Sequence, residues 1–274
     1  MTVGLTYVNA FREIENRMKT NRIAAVVLGV VTAATAVLSA NASHRWGNYH
    51  WGSTTNTFTL QLLDSTVANS NANWPALLAI SRTEWSKAAD FDLALSGYAN
   101  SSRDRKRCTA VSGKIRVCNA SYGNNGWLGL ASINISGDHI TQGTAKMNDS
   151  YSSTWTSDPN EARHVMCQEV GHDFGLGHTS EDGSSQGTCM DYSSSPNSVS
   201  PNAHDYAELA SMYSHLDSTN TYSLSSASTV TAAQQSMAGQ NPMGVRVQKG
   251  RDFEIWAAPD GRGGTWIHHV TLAH

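Results

Sequence analysis

The residues best able to do chemistry are concentrated in one run, Cys167-Gln168-Glu169-Val170-Gly171-His172-Asp173-Phe174-Gly175-Leu176-Gly177-His178. On a helix, Gln168 and His172 stand on one face, about 6 Å apart along the axis. Two donors at that spacing can share one metal ion. Glu169, one residue further on, can reach a water at the metal without binding the metal itself. Gly175 can end the helix in a backbone conformation that other residues resist. The chain can then turn back and present His178 as a third donor. Three protein donors with one open position is the layout of a catalytic zinc site.

These residues need a helix, a turn and a sheet to hold them. Ser157-Asp158-Pro159 is a capping start with proline at the first helical position, so a helix is expected from about Pro159 to Phe174. Ala162, Val165, Met166 and Val170 form its apolar side. A polar loop, Thr179 to Thr188, separates it from Cys189-Met190-Asp191-Tyr192. Upstream, Phe58, Leu60 and Leu62 alternate with polar residues as in a strand, and Phe91, Leu93 and Leu95 do the same. Between them, Asn73-Trp74-Pro75 reads as a helix start, with Leu77, Leu78, Trp85 and Ala88 on one face. Ile115 and Val117 lie in a short strand. Leu128–Ile135 and Ile140–Met147 are two further strands joined at Gly137-Asp138. The basic stretch Arg103, Arg105, Lys106 and Arg107 reads as a solvated loop. A helix is expected from Pro201-Asn202 through Tyr206, Leu209, Met212, Tyr213 and Leu216. Residues 218–240, rich in Ser, Thr and Ala, read as a loop or linker. The tail from Val245 to Leu272 reads as a terminal hairpin or small sheet.

Composition narrows the class. Of 274 residues, 39% are apolar and 15% charged, with a formal charge of −3, which excludes a disordered chain and removes the electrostatic footprint of a nucleic-acid binder. Arg17, Lys19 and Arg22 precede an apolar run from Ile23 to Ala40 that ends in Ala40-Asn41-Ala42. That order reads as a signal peptide over residues 1–42, cleaved before Ser43, so the mature chain is expected to be secreted, extracellular and without stable membrane association. The competing reading is an uncleaved anchor, since the run is about long enough to span a bilayer. The four cysteines, Cys108, Cys118, Cys167 and Cys189, all lie in the mature part, and an even count in an exported chain favours two disulfides. Of the three possible pairings, the two between nearest neighbours in sequence are preferred.

The segment resembles the metzincin zinc endopeptidases, whose long motif is His-Glu-x-x-His-x-x-Gly-x-x-His followed by a methionine turn. Glu169, His172, Gly175 and His178 match the motif, and Cys189-Met190-Asp191-Tyr192 resembles the turn. The resemblance covers residues 58 to 217. It implies an α+β fold with an α/β-like upper half: a twisted mixed sheet packed on two helices, with the methionine turn and a C-terminal helix. It divides the mature chain into a catalytic domain, 43–217, and a linker with a terminal β-hairpin, 218–274. It further implies a Zn2+ cofactor, a metal-activated water attacking a peptide bond, Glu169 as general base and a protein or peptide substrate paired with an edge strand, for which Gly126 to Ile135 is the candidate. A Cys167–Cys189 disulfide would tie the zinc helix to the turn. Met190 becomes a packing floor beneath the metal, and Tyr192 sits where related branches place a tyrosine that reaches the metal or the transition state. A monomer is expected.

Gln168 departs from this pattern, standing where the family has its first histidine. An amide oxygen is a weaker zinc donor than imidazole. The expected metal ligands are therefore Gln168, His172 and His178, with Gln168 bound through its oxygen. It could instead hold a water at that position, or the chain could be a secreted zinc-binding pseudoprotease or protein-binding module without turnover. His164 lies about 12 Å along the axis from His172 and reads as structural or solvent-facing. His268, His269 and His274 read as tail residues.

Overall fold

Alternating apolar side chains build the first strands. In the computed structural model, which describes residues 43–223 and 243–273, the short β1 (His50–Trp51) precedes β2 (Phe58–Ser65), which buries Phe58, Leu60 and Leu62 on one side. The expected signal peptide, His274 and most of the Ser/Thr/Ala-rich segment lie outside the described residues. Helix α1 (Trp74–Trp85) begins as its sequence predicts: Asn73 accepts from the Ala76 amide, and Pro75 occupies the first turn. It buries Trp74, Leu78 and Trp85, and β3 (Phe91–Gly97) follows.

The basic stretch is not a loop. It forms a short helix, α2 (Ser102–Arg107), because Ser101 caps the Asp104 amide and the cations fall in the last turn, where the helix dipole favours them. Three strands come next, β4 (Ile115–Ala120), β5 (Trp127–Ser136) and β6 (His139–Asn148), the last two as the expected hairpin. Then come α3 (Ser152–Ser157), α4 (Pro159–His172) and α5 (Ala203–Met212), the last opened by a reciprocal Asn202–Asp205 capping box. Leu216, expected on that last helix, lies beyond it and is exposed. Helix α4 ends at His172 rather than Phe174, and Asp158 caps its Asn160 amide.

The tail forms three strands, β7 (Val245–Lys249), β8 (Phe253–Pro259) and β9 (Thr265–Leu272). All nine strands form one mixed sheet in the order β3-β2-β4-β6-β5-β9-β8-β7, with β1 paired to β6. The first four strands of that order run parallel, and from β6 to β7 every neighbour is antiparallel. The fold is thus α+β in the broad sense. Helices α1 and α4 pack on each other, and α4 also lies on β5, β6 and β9.

Two details correct the sequence reading. The tail strands extend the main sheet directly, with Gly129 opposite Thr271 and Ala131 opposite His269. Consequently β5 offers no free edge to a substrate: β6 pairs it on one side and β9 on the other. Cys108–Cys118 and Cys167–Cys189 are both bonded, the nearest-neighbour pairing. None of the described helices is long and apolar enough to cross a membrane.

Candidate metal centre

Every residue of α4 from His164 to His172 is buried, and the polar motif residues Gln168, Glu169 and His172 are closed to solvent. Two glycines make this burial possible. A Cβ at Gly171 would lie 2.5 Å from Met190 Sδ and 2.7 Å from Trp85 Cζ2, so the turn methionine and α1 press directly on the helix backbone. Gly175 has a φ of +93°, and a Cβ there would sit 1.9 Å from the Tyr49 carbonyl oxygen. Only glycine permits the reversal that returns His178 to the end of the helix.

That reversal brings His178 Nε2 to 3.1 Å from His172 Nε2. The Nδ1–H of His172 donates to the Leu176 carbonyl at 2.8 Å, which leaves its Nε2 as the lone-pair nitrogen. A third imidazole completes the group. It belongs to His269 on β9, whose ring centroid is 3.9 Å from that of His172 and 4.5 Å from that of His178. One donor atom from each of the three lies within 4.8 Å of the others. Far from being a tail residue, His269 is buried in the sheet beside the motif.

Gln168 is engaged elsewhere. Its amide nitrogen donates to the carbonyls of Cys189 and Asp191 at 3.1 and 3.0 Å, and its oxygen accepts from the Thr271 hydroxyl at 3.0 Å. The side chain bolts α4 to the methionine turn and to β9. Of the two readings of His164, structural or solvent-facing, burial selects the first: its Nδ1–H donates to the Ser198 carbonyl.

Glu169 Oε1 lies 2.6 Å from the Thr271 hydroxyl, and Oε2 is buried without a hydrogen-bond partner among the described residues. Burial raises its carboxyl pKa to about 8, against the smaller opposing effect of the Thr271 contact. One hydroxyl proton cannot serve both Gln168 and Glu169 in full. The Tyr192 hydroxyl meets His269 Nε2 at 2.8 Å, and its ring lies 4.1 Å from that of His178. Phe253 stacks on Tyr192, and Trp46 stands edge-on to His172. This aromatic wall desolvates the imidazoles. Burial lowers the pKa of His172 to about 4 and holds those of His178 and His269 well below the ordinary imidazole value, with neighbouring histidines adding to each shift.

Three neutral imidazoles are a suitable donor set for a zinc-like divalent ion. The 3.1 Å between His172 and His178 nitrogens is close to the edge of about 3.3 Å that a tetrahedron with metal–nitrogen bonds of about 2.0–2.1 Å requires. His269 Nδ1, buried with no hydrogen-bond partner among the described residues, is a further polar atom that the protein alone leaves unsatisfied. Beside the cluster opens a cavity of ≈310 Å³ whose lining includes Leu128, His164, Tyr192, Arg251, Asp252 and Thr271.

The structure therefore brings together His172, His178, Glu169 and Tyr192 as the sequence predicts, and adds His269 and Thr271. Both additions lie on one face of β9, two residues apart, as strand alternation requires. The signal for His269 was a motif short of one imidazole in a chain with a histidine on a strand-like Ile-x-His-x-Thr stretch. Comparison with models of known protein families finds no match to this chain, and comparison with curated proteins finds none either.

Proposed function

We propose that this chain is an exported zinc-dependent endopeptidase of metzincin type in which a strand histidine, His269, takes the place of the family's first motif histidine. The observation that carries this reading is the convergence of His172, His178 and His269 beside a buried Glu169. His172, His178 and His269 would hold the ion. Bound there, zinc supplies a Lewis acid that acidifies water and polarises a carbonyl. Glu169 receives the proton of the attacking water and returns it to the leaving amine; a carboxyl held near neutral pKa suits both transfers. Tyr192 offers its hydroxyl to the developing negative charge on the substrate oxygen. Gln168 contributes by position, fixing α4 to the turn. Substrate approaches through the cavity beside Tyr192 and Thr271. The two disulfides suit an exported chain.

The occupied edge of β5 favours a second reading, in which β9 is an intrinsic cover lying where an extended substrate would pair. One experiment separates them. The secreted chain is assayed on an unfolded protein substrate, with and without a chelator, alongside His269→Ala. The first reading expects chelator-sensitive hydrolysis in the parent and loss of metal and activity in the variant. A variant that keeps metal and cleaves faster supports the cover. A parent without hydrolysis at full zinc occupancy makes the chain a pseudoprotease.

A further inference from the structure

A second histidine cluster lies at the corner where β1, the start of β6 and the segment after α5 meet. His50 and His139 are paired residues of β1 and β6, and His215 and Asp217 follow α5. Three donor atoms, from His50, His215 and Asp217, converge there, and His139 adjoins them. Asp217 Oδ1 lies 2.9 Å from His139 Nε2, 3.4 Å from His50 Nε2 and 3.5 Å from His215 Nε2, and the His50 and His215 Nε2 atoms are 3.2 Å apart. We propose that His50, His215 and Asp217 form a second metal site for a zinc-like divalent ion, with His139 holding Asp217 in place.

The geometry carries the assignment. Four ligands around a tetrahedral ion with bonds of about 2.0–2.2 Å stand about 3.3–3.5 Å from one another. All three separations among the His50, His215 and Asp217 donor atoms fall at 3.2–3.5 Å, one face of such a tetrahedron, while His139 Nε2 lies 2.9 Å from Asp217 Oδ1 as a hydrogen-bond partner. The surrounding bonds set each donor for the task. His50 Nδ1–H donates to the Asn48 carbonyl at 2.7 Å, which turns its lone pair at Nε2 inward. Asp217 Oδ2 accepts from the Ser53 amide at 2.9 Å, and the Asp217 amide donates to the Ser53 carbonyl at 2.7 Å, so Oδ1 alone is presented to the three rings. In a metal-free chain the His50 and His215 lone pairs face each other unless His215 carries its proton on Nε2. A cation removes that conflict. Two imidazoles and one carboxylate select zinc, cobalt or nickel over calcium or magnesium.

The corner is tied to α4. The Trp51 indole donates to the Asp173 carbonyl, and the Tyr213 hydroxyl donates to the Phe174 carbonyl. An ion here would clamp β1 to the segment after α5, with β6 joined through His139 and Asp217, around the end of the helix that carries His172.

The test uses the secreted chain stripped of metal and then titrated with Co2+, whose visible absorption reports tetrahedral nitrogen and oxygen donors. To make the outcome independent of the centre at His172, the titration is run in His172→Ala/His178→Ala as well as in the parent. The expected result is that the double variant still binds one Co2+ tightly with a tetrahedral spectrum and melts at a higher temperature with the ion than without. His215→Ala on that background, at a half-exposed side chain that folding does not need, should weaken binding by at least about 100-fold. Asp217→Asn should weaken it comparably. Absence of tight binding in the folded double variant overturns the proposal. So does binding that survives both His215→Ala and Asp217→Asn unchanged.

Discussion

The sheet has two halves that reach the same site by different means. One half, β3-β2-β4-β6, is parallel; helix α4, which lies on β6 of that half and on β5 and β9 of the other, carries Glu169 and His172, residues announced by a compact motif. The antiparallel half, β5-β9-β8-β7, brings His269, Thr271 and Phe253, which no motif announces. Yet the second half touches nearly every polar group of the first: Thr271 meets Gln168 and Glu169, and His269 meets His172, His178 and Tyr192. A motif describes what a helix can place at its own spacing. A strand two places from β6 in the sheet, β9, can complete the set, and its spacing in sequence then carries no information.

The sharpest way to break this comparison is to remove one group from each half. Glu169→Ala should abolish hydrolysis by at least about 10²-fold while zinc stays bound, since the carboxylate moves protons and holds no metal. His269→Ala should do the reverse in kind, lowering zinc affinity by at least about 10–100-fold, with activity falling alongside. Gln168→Ala discriminates between the halves as sources of the third donor. It should leave zinc affinity near that of the parent and instead destabilise the fold by about 2–3 kcal/mol, because the Cys189 and Asp191 carbonyls lose a buried donor. Zinc per chain and urea unfolding, measured on the three variants together, decide the matter. If Gln168→Ala loses the metal and His269→Ala keeps it, the motif alone builds the centre.

Much of this was legible beforehand, for physical reasons. Helix α4 has a cap, a proline and an apolar side, so its span was readable to within two residues. The β5–β6 hairpin showed alternation on both sides of a glycine turn. The disulfides followed from proximity in the chain. What stayed hidden depended on contacts between distant segments. Nothing local says that β9 pairs with β5 rather than closing a separate hairpin, and Gln168 could not be seen to spend its amide on turn carbonyls 21 and 23 residues away. The basic segment was misread because its charges suggested solvent, whereas Ser101 and Asp104 supply a helix start.

A smaller effect probes how closely the turn is pressed on the motif helix. Gly171→Ala places a methyl against Met190 Sδ and the Trp85 ring, both buried, so neither can withdraw freely. Overpacking of this kind costs roughly 1–3 kcal/mol. The intrinsic helix preference of alanine offsets up to about 1 kcal/mol of that. A lowered urea midpoint is expected, and Met190→Ala should relieve part of the strain in the double variant, giving a coupling between the two sites. Additive effects would mean that the methionine does not rest on this backbone.

The smallest expected effect lies at the seam of the two halves. Lys146 on β6 stands opposite Cys118 of β4 and Leu130 of β5. Burial, and after it the charge of Arg116, lowers the pKa of its ammonium to about 8. An unfolded lysine titrates near 10.4, so between about pH 8 and 10.4 the unfolded chain binds more protons than the folded one. Stability contributed by this group therefore rises with pH across that window, and below about pH 8 the penalty of holding a charged lysine at the seam is fully present. Lys146→Met removes the charge while keeping an unbranched stem. At about pH 7 the variant should be the more stable protein, and its advantage should shrink as the pH approaches about 10. Comparing urea midpoints of parent and variant across that range cancels the titration of every other group. A constant difference between the two curves would place the Lys146 ammonium in solvent and leave the seam indifferent to charge.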